Sequence, residues 1–249
     1  MQLDHHHYKQ RDNKSITVTL ANNNDQIRAA QALRYRVFAE EMQARLNTKE
    51  PGIDQDLFDA YCDHLIAQDE QTGEVIGTYR ILPPHQARKV GSYYSDTEFD
   101  LTRLQHIRSQ LVELGRTCVH PQYRNGGTIA MLWAALTQYM LRHNYQYMMG
   151  CASVPLSDGG HTAASLYRKM ATESMAPIEW RVFPRCPLPM TSFDTKLEIA
   201  TPALIKGYLR AGAMVCGEPA WDPDFNTADF LMLLPTQCIN KRYASHFKR

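Results

Sequence analysis

The stretch that decides the fold is residues 111–142, LVELGRTCVHPQYRNGGTIAMLWAALTQYMLR. Residues 111–119 are mostly apolar and end at a His-Pro pair, which predicts a buried strand. Residues 121–127 contain two glycines and predict a turn. From Thr128 onward, apolar residues recur at spacings of three and four and predict one face of a helix: Ile129, Leu132, Trp133, Leu136 and Met140. A strand, glycine loop and helix in this order direct backbone N–H groups at an anion, so the stretch predicts a phosphate or thioester-cofactor loop.

Two charged residues, Glu113 and Arg116, lie inside the apolar strand. Side chains three residues apart in a regular strand point to opposite faces. Gly115 stands between them, and a strand glycine often marks a bulge, which would bring both charges to one face. The pattern by itself leaves two interpretations open, an ion pair at a sheet edge and a functional pair.

The composition is that of an ordinary globular protein. The chain has 249 residues, 44% hydrophobic and 21% charged, which fits one large domain or two small ones. A net charge of +1 lacks the bulk basic signature of nucleic-acid binding. No apolar run approaches the roughly 20 residues of a membrane span, and the N-terminus lacks an apolar signal core. We therefore expect a cytoplasmic protein with a loosely ordered tail over 1–15 and one domain over 16–249.

The sequence predicts no metal site. The six cysteines are scattered without a C-x-x-C pair, which is typical of buried reduced thiols and disfavours zinc. The acidic residues between 46 and 62 do not have the spacing of a helix–loop–helix calcium site. The histidines at 5–7 belong to a polar tail, for which solvation is the simplest interpretation.

Strands and helices alternate along the chain. Before the central stretch we predict a strand at 16–20, a helix to about Met42, an ordered loop over 46–62, strands at 64–68 and 74–82, and a short helix around 101–109. After it we predict a strand at 147–151, a loop over 154–160, helices at 162–175 and 202–210, an extended segment at 179–190, and strands at 214–216 and 230–234. These elements indicate an α/β fold, with a mixed, mostly antiparallel sheet flanked by helices.

With these residues placed, the sequence resembles the GNAT acyltransferase superfamily. The superfamily's acyl-carrier pattern is met in degenerate form by Arg124 and Gly127, which are separated by two residues, while Ile129 stands where a small residue is usual. The resemblance implies a single GNAT-like acyltransferase domain. It also implies that the phosphopantetheine arm of a thioester lies along residues 124–128.

The first half is similar to the acyl-homoserine lactone (autoinducer) synthases, which take acyl groups from acyl carrier protein. Ala44 stands where those enzymes have Trp, which argues against a homoserine lactone product. The residues that meet their pattern are Arg34, Phe38, Asp56, Asp59, Arg80, Glu113 and Arg116.

From about residue 30 to residue 247, the chain resembles the ornithine lipid N-acyltransferases. The shared stretches are LRYRVFAEEM, FDAYCDHL, GTYRIL, YYSDTEFDL, ELGRTCVHPQYR, LLP and the late IKGYLRAGAMVCGEPAWDPDFNTADFLMLL. The late stretch is specific, because autoinducer synthases do not carry it. The resemblance implies transfer of a 3-hydroxyacyl group from acyl carrier protein to the α-amine of ornithine, which forms a lyso-ornithine lipid.

Attack of an amine on a thioester requires a proton acceptor, donors for the oxyanion and alignment of the two reactants. We expect Glu113 to accept the proton and Arg116 to hold Glu113 or the substrate carboxylate. Arg80 completes the predicted catalytic set. Backbone N–H groups near Cys118 and Val119 are the predicted oxyanion donors. We expect no acyl-enzyme, because small buried residues explain the cysteines more simply.

The remaining site residues follow from the resemblance. Those implied to bind the acceptor are Arg34, Phe38, Asp56, Asp59 and Asp63. Those implied to contact the acyl carrier or its phosphopantetheine are Cys118, Val119, Arg124, Gly126, Gly127 and Thr128. The Asp and Arg residues have a second interpretation, a buried ion network that only orders the loop, and both interpretations remain open.

The resemblance implies acyl carrier protein and a free amino acid, with ornithine favoured, as partners. The acyl-carrier thioester is a co-substrate, and no cofactor or metal is expected. A lipid product suggests peripheral attachment to the inner face of the membrane. Two alternatives remain: synthesis of another N-acyl amino acid or an acyl-homoserine lactone on the same fold, and a non-catalytic module that binds the carrier protein.

Overall fold

The computed structural model describes the backbone of His6–Lys9 and the whole of residues 15–239. The basic C-terminal tail over 240–249 and most of the predicted N-terminal tail lie outside the described residues. The contacts divide the chain into two compact units. The first unit comprises residues 1–86 and 114–144, and the second comprises residues 87–113 and 145–249.

The elements follow each other in an α/β order. The strands are β1 (His6–Lys9), β2 (Ser15–Leu20), β3 (Asp63–Asp69), β4 (Val75–Leu82), β5 (Phe99–Asp100), β6 (Leu111–Val119), β7 (Tyr147–Pro155), β8 (Phe183–Pro184), β9 (Met214–Val215), β10 (Ala220–Asp222) and β11 (Thr227–Pro235). The helices are α1 (Asn24–Tyr35), α2 (Pro84–Val90), α3 (Gly127–Arg142), α4 (His161–Glu173) and α5 (Ala203–Ala211). A π-helical turn, Arg36–Glu41, follows α1.

In the first unit, the strands β1, β2, β3 and β4 pair antiparallel in that order, and β6 lies next to β4. The α1 helix begins where the Asn23 side chain accepts a bond from the Gln26 N–H at 2.9 Å. The α3 helix approaches β4 closely at Gly77. A Cβ placed there would lie 3.1 Å from methyl carbons of both Thr128 and Leu132. A larger residue at this position would push these two side chains aside by a few tenths of an ångström, so glycine allows the helix its close approach to the strand.

In the second unit, the first residues of β6 pair parallel with β7, so that Glu113 stands opposite Met149. The β11 strand pairs antiparallel with β7 along its whole length. The β9 and β10 strands pair with β11, and β5 pairs with β8. The core between this sheet and α4 is apolar and includes Ala152, Val154, Leu166, Met170, Val215 and Phe230. The predicted α/β class with a mixed, mostly antiparallel sheet is confirmed.

Most predicted elements are present, and the exceptions involve short segments. The predicted helix around 101–109 is wrong, since the structure has two single turns of 3₁₀ helix, Thr102–Leu104 and Arg108–Gln110. The helix α2 is absent from the predicted elements, because it is short and begins at a proline directly after the predicted strand 74–82. Proline fits the first turn of a helix, where its missing N–H has no partner to lose. The strand β7 also continues to Pro155, into the predicted loop.

Candidate functional site

A buried arginine organises the first unit. Arg34 has no exposed surface. Its Nε donates to Asp54 Oδ2 at 2.7 Å, and its Nη1 donates to Asp59 Oδ1 at 2.6 Å. Its Nη2 donates to the Asp54 carbonyl at 2.8 Å and to Asp59 Oδ2 at 3.2 Å. Arg34 on α1 therefore binds both ends of the acidic loop over 54–59.

Arg80 on β4 joins the same group. Its Nη1 donates to Asp56 Oδ1 at 2.7 Å and to Asp59 Oδ2 at 3.1 Å. Burial raises the pKa of Asp59, but the bonds and charges of Arg34 and Arg80 outweigh burial and hold this pKa well below its ordinary value. Burial lowers the pKa of Arg80, but the charges of Asp56 and Asp59 outweigh burial and raise this pKa above its ordinary value. Asp59 and Arg80 are therefore both charged.

Arg116 is the third arginine of this network. Its Nε lies 3.3 Å from Asp54 Oδ2, and its Nη2 lies 3.5 Å from Asp56 Oδ2. The backbone of Arg116 is left-handed, with φ at 49°, so the departure from regular strand geometry lies one residue after the predicted Gly115. A non-glycine residue in this conformation costs on the order of 1 kcal/mol and is retained where the surroundings hold it.

The network is balanced in charge. We define the Asp/Arg network as Arg34, Asp54, Asp56, Asp59, Arg80 and Arg116, three arginines and three aspartates. Burial lowers the pKa of the neighbouring His64, whose Nε2 lies 3.1 Å from the Asp59 carbonyl, which favours the neutral ring. The network thus supplies a protein partner to each of its carboxylates. Binding of a substrate ammonium by Asp56 or Asp59 stays a prediction.

Two residues predicted to bind the acceptor lie in other surroundings. Phe38 lies in the π-helical turn and is 8% exposed, so its ring belongs to the core. Asp63 is exposed at the start of β3 and accepts a bond from the Tyr139 hydroxyl at 2.7 Å. The structure therefore brings together five of the predicted residues, namely Arg34, Asp56, Asp59, Arg80 and Arg116. The role of Asp54 in the network was missed, although it lies two residues before Asp56.

The loop after β6 is held by contacts within the first unit. The Arg124 guanidinium forms a two-bond ion pair with Glu41 at 2.5 and 2.7 Å, and its Nε donates to the Val119 carbonyl at 2.8 Å. The bond from Arg124 lowers the pKa of Glu41. Gly126 has a φ of 90° and caps α3, and the Gly127 N–H donates to Asn125 Oδ1 at 3.1 Å. Thr128 has no exposed surface, so its side chain belongs to the core.

The cysteine thiols are poor nucleophiles. Burial raises the pKa of Cys118 to about 12. Burial and the charge of Glu98 raise the pKa of Cys151 well above its ordinary value. Because the thiolate is the reactive form, neither residue is prepared to carry an acyl group at neutral pH.

In the second unit, Glu113 is held by two backbone amides. Glu113 lies on β6 and is buried, with 4% of the residue exposed. The Oε2 atom accepts the Tyr94 N–H at 2.6 Å, and the Oε1 atom accepts the Ser95 N–H at 2.7 Å. Hydrogen bonds from backbone amides stabilise the ionised form of a carboxylate and fix its orientation.

The second unit also contains a carboxyl pair that the sequence analysis missed, Glu98 and Asp229. Cys151 Sγ donates to Glu98 Oε2 at 3.3 Å, and Thr227 Oγ1 donates to Asp229 Oδ1 at 2.9 Å. Burial and the nearby Asp229 raise the pKa of Glu98 to about 9, and burial raises the pKa of Asp229. A half-buried carboxyl group this close to the buried Asp229 retains its proton near neutral pH. No pattern in the sequence marks the pair, since 131 positions separate its members.

The ligand atoms of Glu98, Cys151 and Asp229 lie within 4.8 Å of one another. All three groups have raised pKa values, and a metal ion would have to displace their protons. A cavity of about 260 Å³ lies in the same unit. It has charged groups of both signs and aromatic rings in its wall, including Tyr94, Glu98, Arg185, Trp221 and Asp222.

For the Asp/Arg network, we expect Asp59→Asn to lower the free energy of unfolding by about 3–5 kcal/mol, because Arg34 and Arg80 lose a buried partner. Urea unfolding measures this difference. Asp63→Asn, at an exposed position nearby, is the matched control and should cost less than about 1 kcal/mol. Equal stabilities would contradict a structural role of the network. Loss of ornithine affinity in folded Asp59→Asn would instead favour a role in binding.

For the carboxyl pair, we expect stability to fall as the pH rises. The ordinary pKa of Glu98 is 4.5 and the folded value is about 9, so the folded protein keeps a proton that the unfolded chain loses between these values. Glu98→Gln removes this loss. Between pH 5 and pH 8, the free energy of unfolding of the variant should rise relative to that of the wild type by about 1 kcal/mol or more, measured by urea unfolding. A pH-independent difference would contradict the raised pKa.

The family model and the relatives that this chain matches are all acyltransferases. The acetyltransferase (GNAT) domain model matches residues 33–134. An L-ornithine N(alpha)-acyltransferase of Brucella abortus is 37% identical over 249 residues, which covers 94% of this chain and 89% of the relative. An enzyme of the same name from Rhodobacter capsulatus is 36% identical over 94% of this chain and 95% of the relative.

Solved structures agree with the fold. The AHL synthase LasI has a TM-score of 0.52 and 14% identity, over 90% of this chain and 91% of that one. FeeM, an N-acyl amino acid synthase from uncultured soil microbes, has a TM-score of 0.52 and 11% identity, over 90% and 92% of the two chains. At these identities the likeness shows the fold alone. The predicted GNAT fold is confirmed.

Proposed function

The chain belongs to the L-ornithine N(alpha)-acyltransferase family and is an acyltransferase, and on this premise we propose that it acylates the α-amine of ornithine. The observation that carries the proposal is the 36–37% identity to enzymes of that name over 94% of the chain. The proposed donor is a 3-hydroxyacyl thioester of acyl carrier protein. The product of this reaction is a lyso-ornithine lipid.

The reaction exchanges a C–S bond for a C–N bond. The ammonium of the acceptor first gives one proton to Glu113, since only the neutral amine is a nucleophile. The nitrogen then attacks the thioester carbonyl, and the C–S bond breaks as the tetrahedral intermediate collapses. The second proton of the nitrogen passes to the leaving thiolate, and Glu113 returns its proton to solvent. The two amide bonds to Glu113 support this role, because they fix the orientation of the carboxylate.

Other steps need groups that orient rather than react. Backbone N–H groups near Cys118 and Val119 are the proposed oxyanion donors. Arg116 is the proposed clamp for Glu113 or for the acceptor carboxylate, and Arg80 belongs to the same set. The high pKa of the Cys118 thiol supports direct attack by the amine over an acyl-enzyme.

Arg124 is the proposed contact for the acidic carrier protein. Its ion pair with Glu41 leaves both side chains 41% exposed, and such pairs contribute only about 0–1 kcal/mol. The guanidinium can therefore exchange Glu41 for an acidic partner at small cost. The phosphopantetheine arm would lie along the backbone of residues 124–128.

Within residues 15–239, no helix is long and apolar enough to cross a membrane. Because an acylated amino acid partitions into lipid, we propose peripheral attachment at the inner face of the membrane. This attachment brings the product to the layer that accepts it.

The proposal is tested by incubating the protein with 3-hydroxyacyl carrier protein and a mixture of free amino acids. We expect mass spectrometry to find acyl-ornithine as the main product. An acylated amino acid other than ornithine would contradict ornithine as the acceptor and would leave the proposed type of reaction unchanged. Acylation from acyl-coenzyme A at an equal rate would contradict the carrier-protein donor. Binding of the carrier without any product would favour a non-catalytic module.

For the proton acceptor, we expect Glu113→Gln to lower kcat by about 10²- to 10⁴-fold at pH 7, because the amide cannot take the ammonium proton. Single-turnover rates with 3-hydroxyacyl carrier protein measure the change. Glu173→Gln, at the exposed end of α4, is the matched control and should act like the wild type. Near-normal activity of folded Glu113→Gln at neutral pH would overturn the assignment.

A further inference from the structure

The turn over residues 93–98 has contacts that no step of the proposed reaction uses. We propose that this turn holds Glu113 in its reactive orientation, and that Asp96 and Arg108 are positioning residues for it. The inference rests on the proposed function, in which Glu113 accepts the proton. It assigns a purpose to an ion pair that touches neither Glu113 nor a reacting atom.

The turn supplies both donors to Glu113. Consecutive N–H groups, from Tyr94 and Ser95, reach the two different oxygens of the carboxylate at 2.6 and 2.7 Å. Neighbouring amides point the same way in a helical turn, here the 3₁₀ turn Tyr94–Thr97, whereas they alternate in a strand. The orientation of the carboxylate is therefore set by the conformation of this turn. Ser95 is 1% exposed, so water is excluded from that side.

Asp96 closes the turn from within. Its Oδ2 atom accepts the Tyr93 N–H at 2.8 Å and Arg108 Nη2 at 2.6 Å. Its carbonyl oxygen accepts Arg185 Nε at 2.8 Å. The two donors to Glu113 lie between Tyr93 and Asp96, so these bonds enclose them. Loss of the Asp96 carboxylate would release the first residue of the turn.

Arg108 and Tyr93 attach the turn to β6. The Arg108 guanidinium lies 4.7 Å from the centre of the Tyr93 ring, in addition to its bond with Asp96. The Tyr93 hydroxyl donates to the Leu111 carbonyl at 2.6 Å. Tyr93 has no exposed surface, and burial raises the pKa of its hydroxyl, which therefore stays a donor. The turn is thus bound to β6 at Leu111 and again at Glu113, two residues later on the same strand.

The two bonds to β6 explain why a side-chain pair remote from the reaction can matter. A shift of about 1 Å in a catalytic group can cost about 100-fold in rate. Bonds from amides also favour the ionised carboxylate, which is the form that accepts a proton. A loosened turn would therefore lower the rate and make the ionised base harder to form. A pair that served only for stability would change neither property in the folded protein.

The experiment compares Arg108→Gln and Asp96→Asn with a matched control, Arg103→Gln. Arg103 also lies in the second unit, where it donates to the Ile178 carbonyl at 3.1 Å and stacks on Phe183 at 5.0 Å. We expect kcat to fall about 10- to 100-fold in the two test variants, with KM for ornithine changed less than about twofold. The acidic limb of the pH–rate profile should move to higher pH. Arg108→Lys should recover most of the rate, because it restores the charge beside Asp96.

Hydrogen exchange of the segment 93–98 gives a second readout that does not depend on turnover. We expect faster exchange of this segment in Arg108→Gln and Asp96→Asn, and no change in Arg103→Gln. Unchanged exchange, or a rate and pH profile equal to those of Arg103→Gln, would overturn the positioning role. Should Arg108→Gln fail to fold, Asp96→Asn gives the same test with an isosteric side chain.

The failure of the two proposals can be told apart. An inactive Glu113→Gln beside an unaffected Arg108→Gln would keep Glu113 as the base and remove the positioning role. A fully active Glu113→Gln would contradict the assignment of Glu113 as the base. The expected effect of the turn on the pH–rate profile would then be contradicted as well. The absence of acyl-ornithine from the wild type would remove the reaction itself.

Discussion

The first unit depends on the burial of the Arg34 guanidinium. Removing this charge from water costs several kcal/mol, and the cost is offset only when its donors find well-placed acceptors. The acceptors come from the loop that carries Asp54 and Asp59, so the loop must fold onto α1 for the helix to be buried. Arg80 and Arg116 then balance the remaining negative charge. An irregular loop of this length is ordered because every charge in it has an opposite partner.

Three carboxyl groups that are wholly or partly removed from solvent, those of Asp59, Glu98 and Glu113, are accommodated in three different ways. Asp59 is compensated by arginines, which hold its pKa low. Glu113 accepts hydrogen bonds from two backbone amides, which favour its ionised form and fix its orientation. Glu98 lies near another carboxyl group and keeps its own proton, with its pKa raised to about 9. Burial alone therefore does not decide the charge of a carboxyl group, and the donors around it do.

These differences fit a division of labour along the chain. Arg34, Asp56, Asp59, Arg80 and Arg116, which the sequence analysis selects as site residues, belong to the Asp/Arg network of the first unit, where each has an oppositely charged partner. The late stretch, which the resemblance to the autoinducer synthases does not cover, contributes Trp221, Asp222 and Asp229 to the cavity wall and carboxyl pair of the second unit.

The sequence alone determined the elements with long, clear periods. The strand over 111–119, the following glycine turn and the helix α3 were predicted nearly to the residue, because apolar spacing is set by the geometry of a strand or helix. The resemblance also selected Arg34, Asp59, Arg80 and Glu113 as special. Local spacing carries no information on short 3₁₀ turns or on a helix such as α2, which begins at a proline.

Only the tertiary structure decided what these residues touch. Packing places Asp54 as well as Asp59 against Arg34, and it turns Thr128 into the core. Packing also brings the amides of Tyr94 and Ser95 to Glu113. Glu98 and Asp229 became a pair for the same reason, since packing within the second unit brings together residues far apart in sequence. Hydrogen bonds and pKa shifts act over a few ångströms, so they are settled by positions in space and not by positions along the chain.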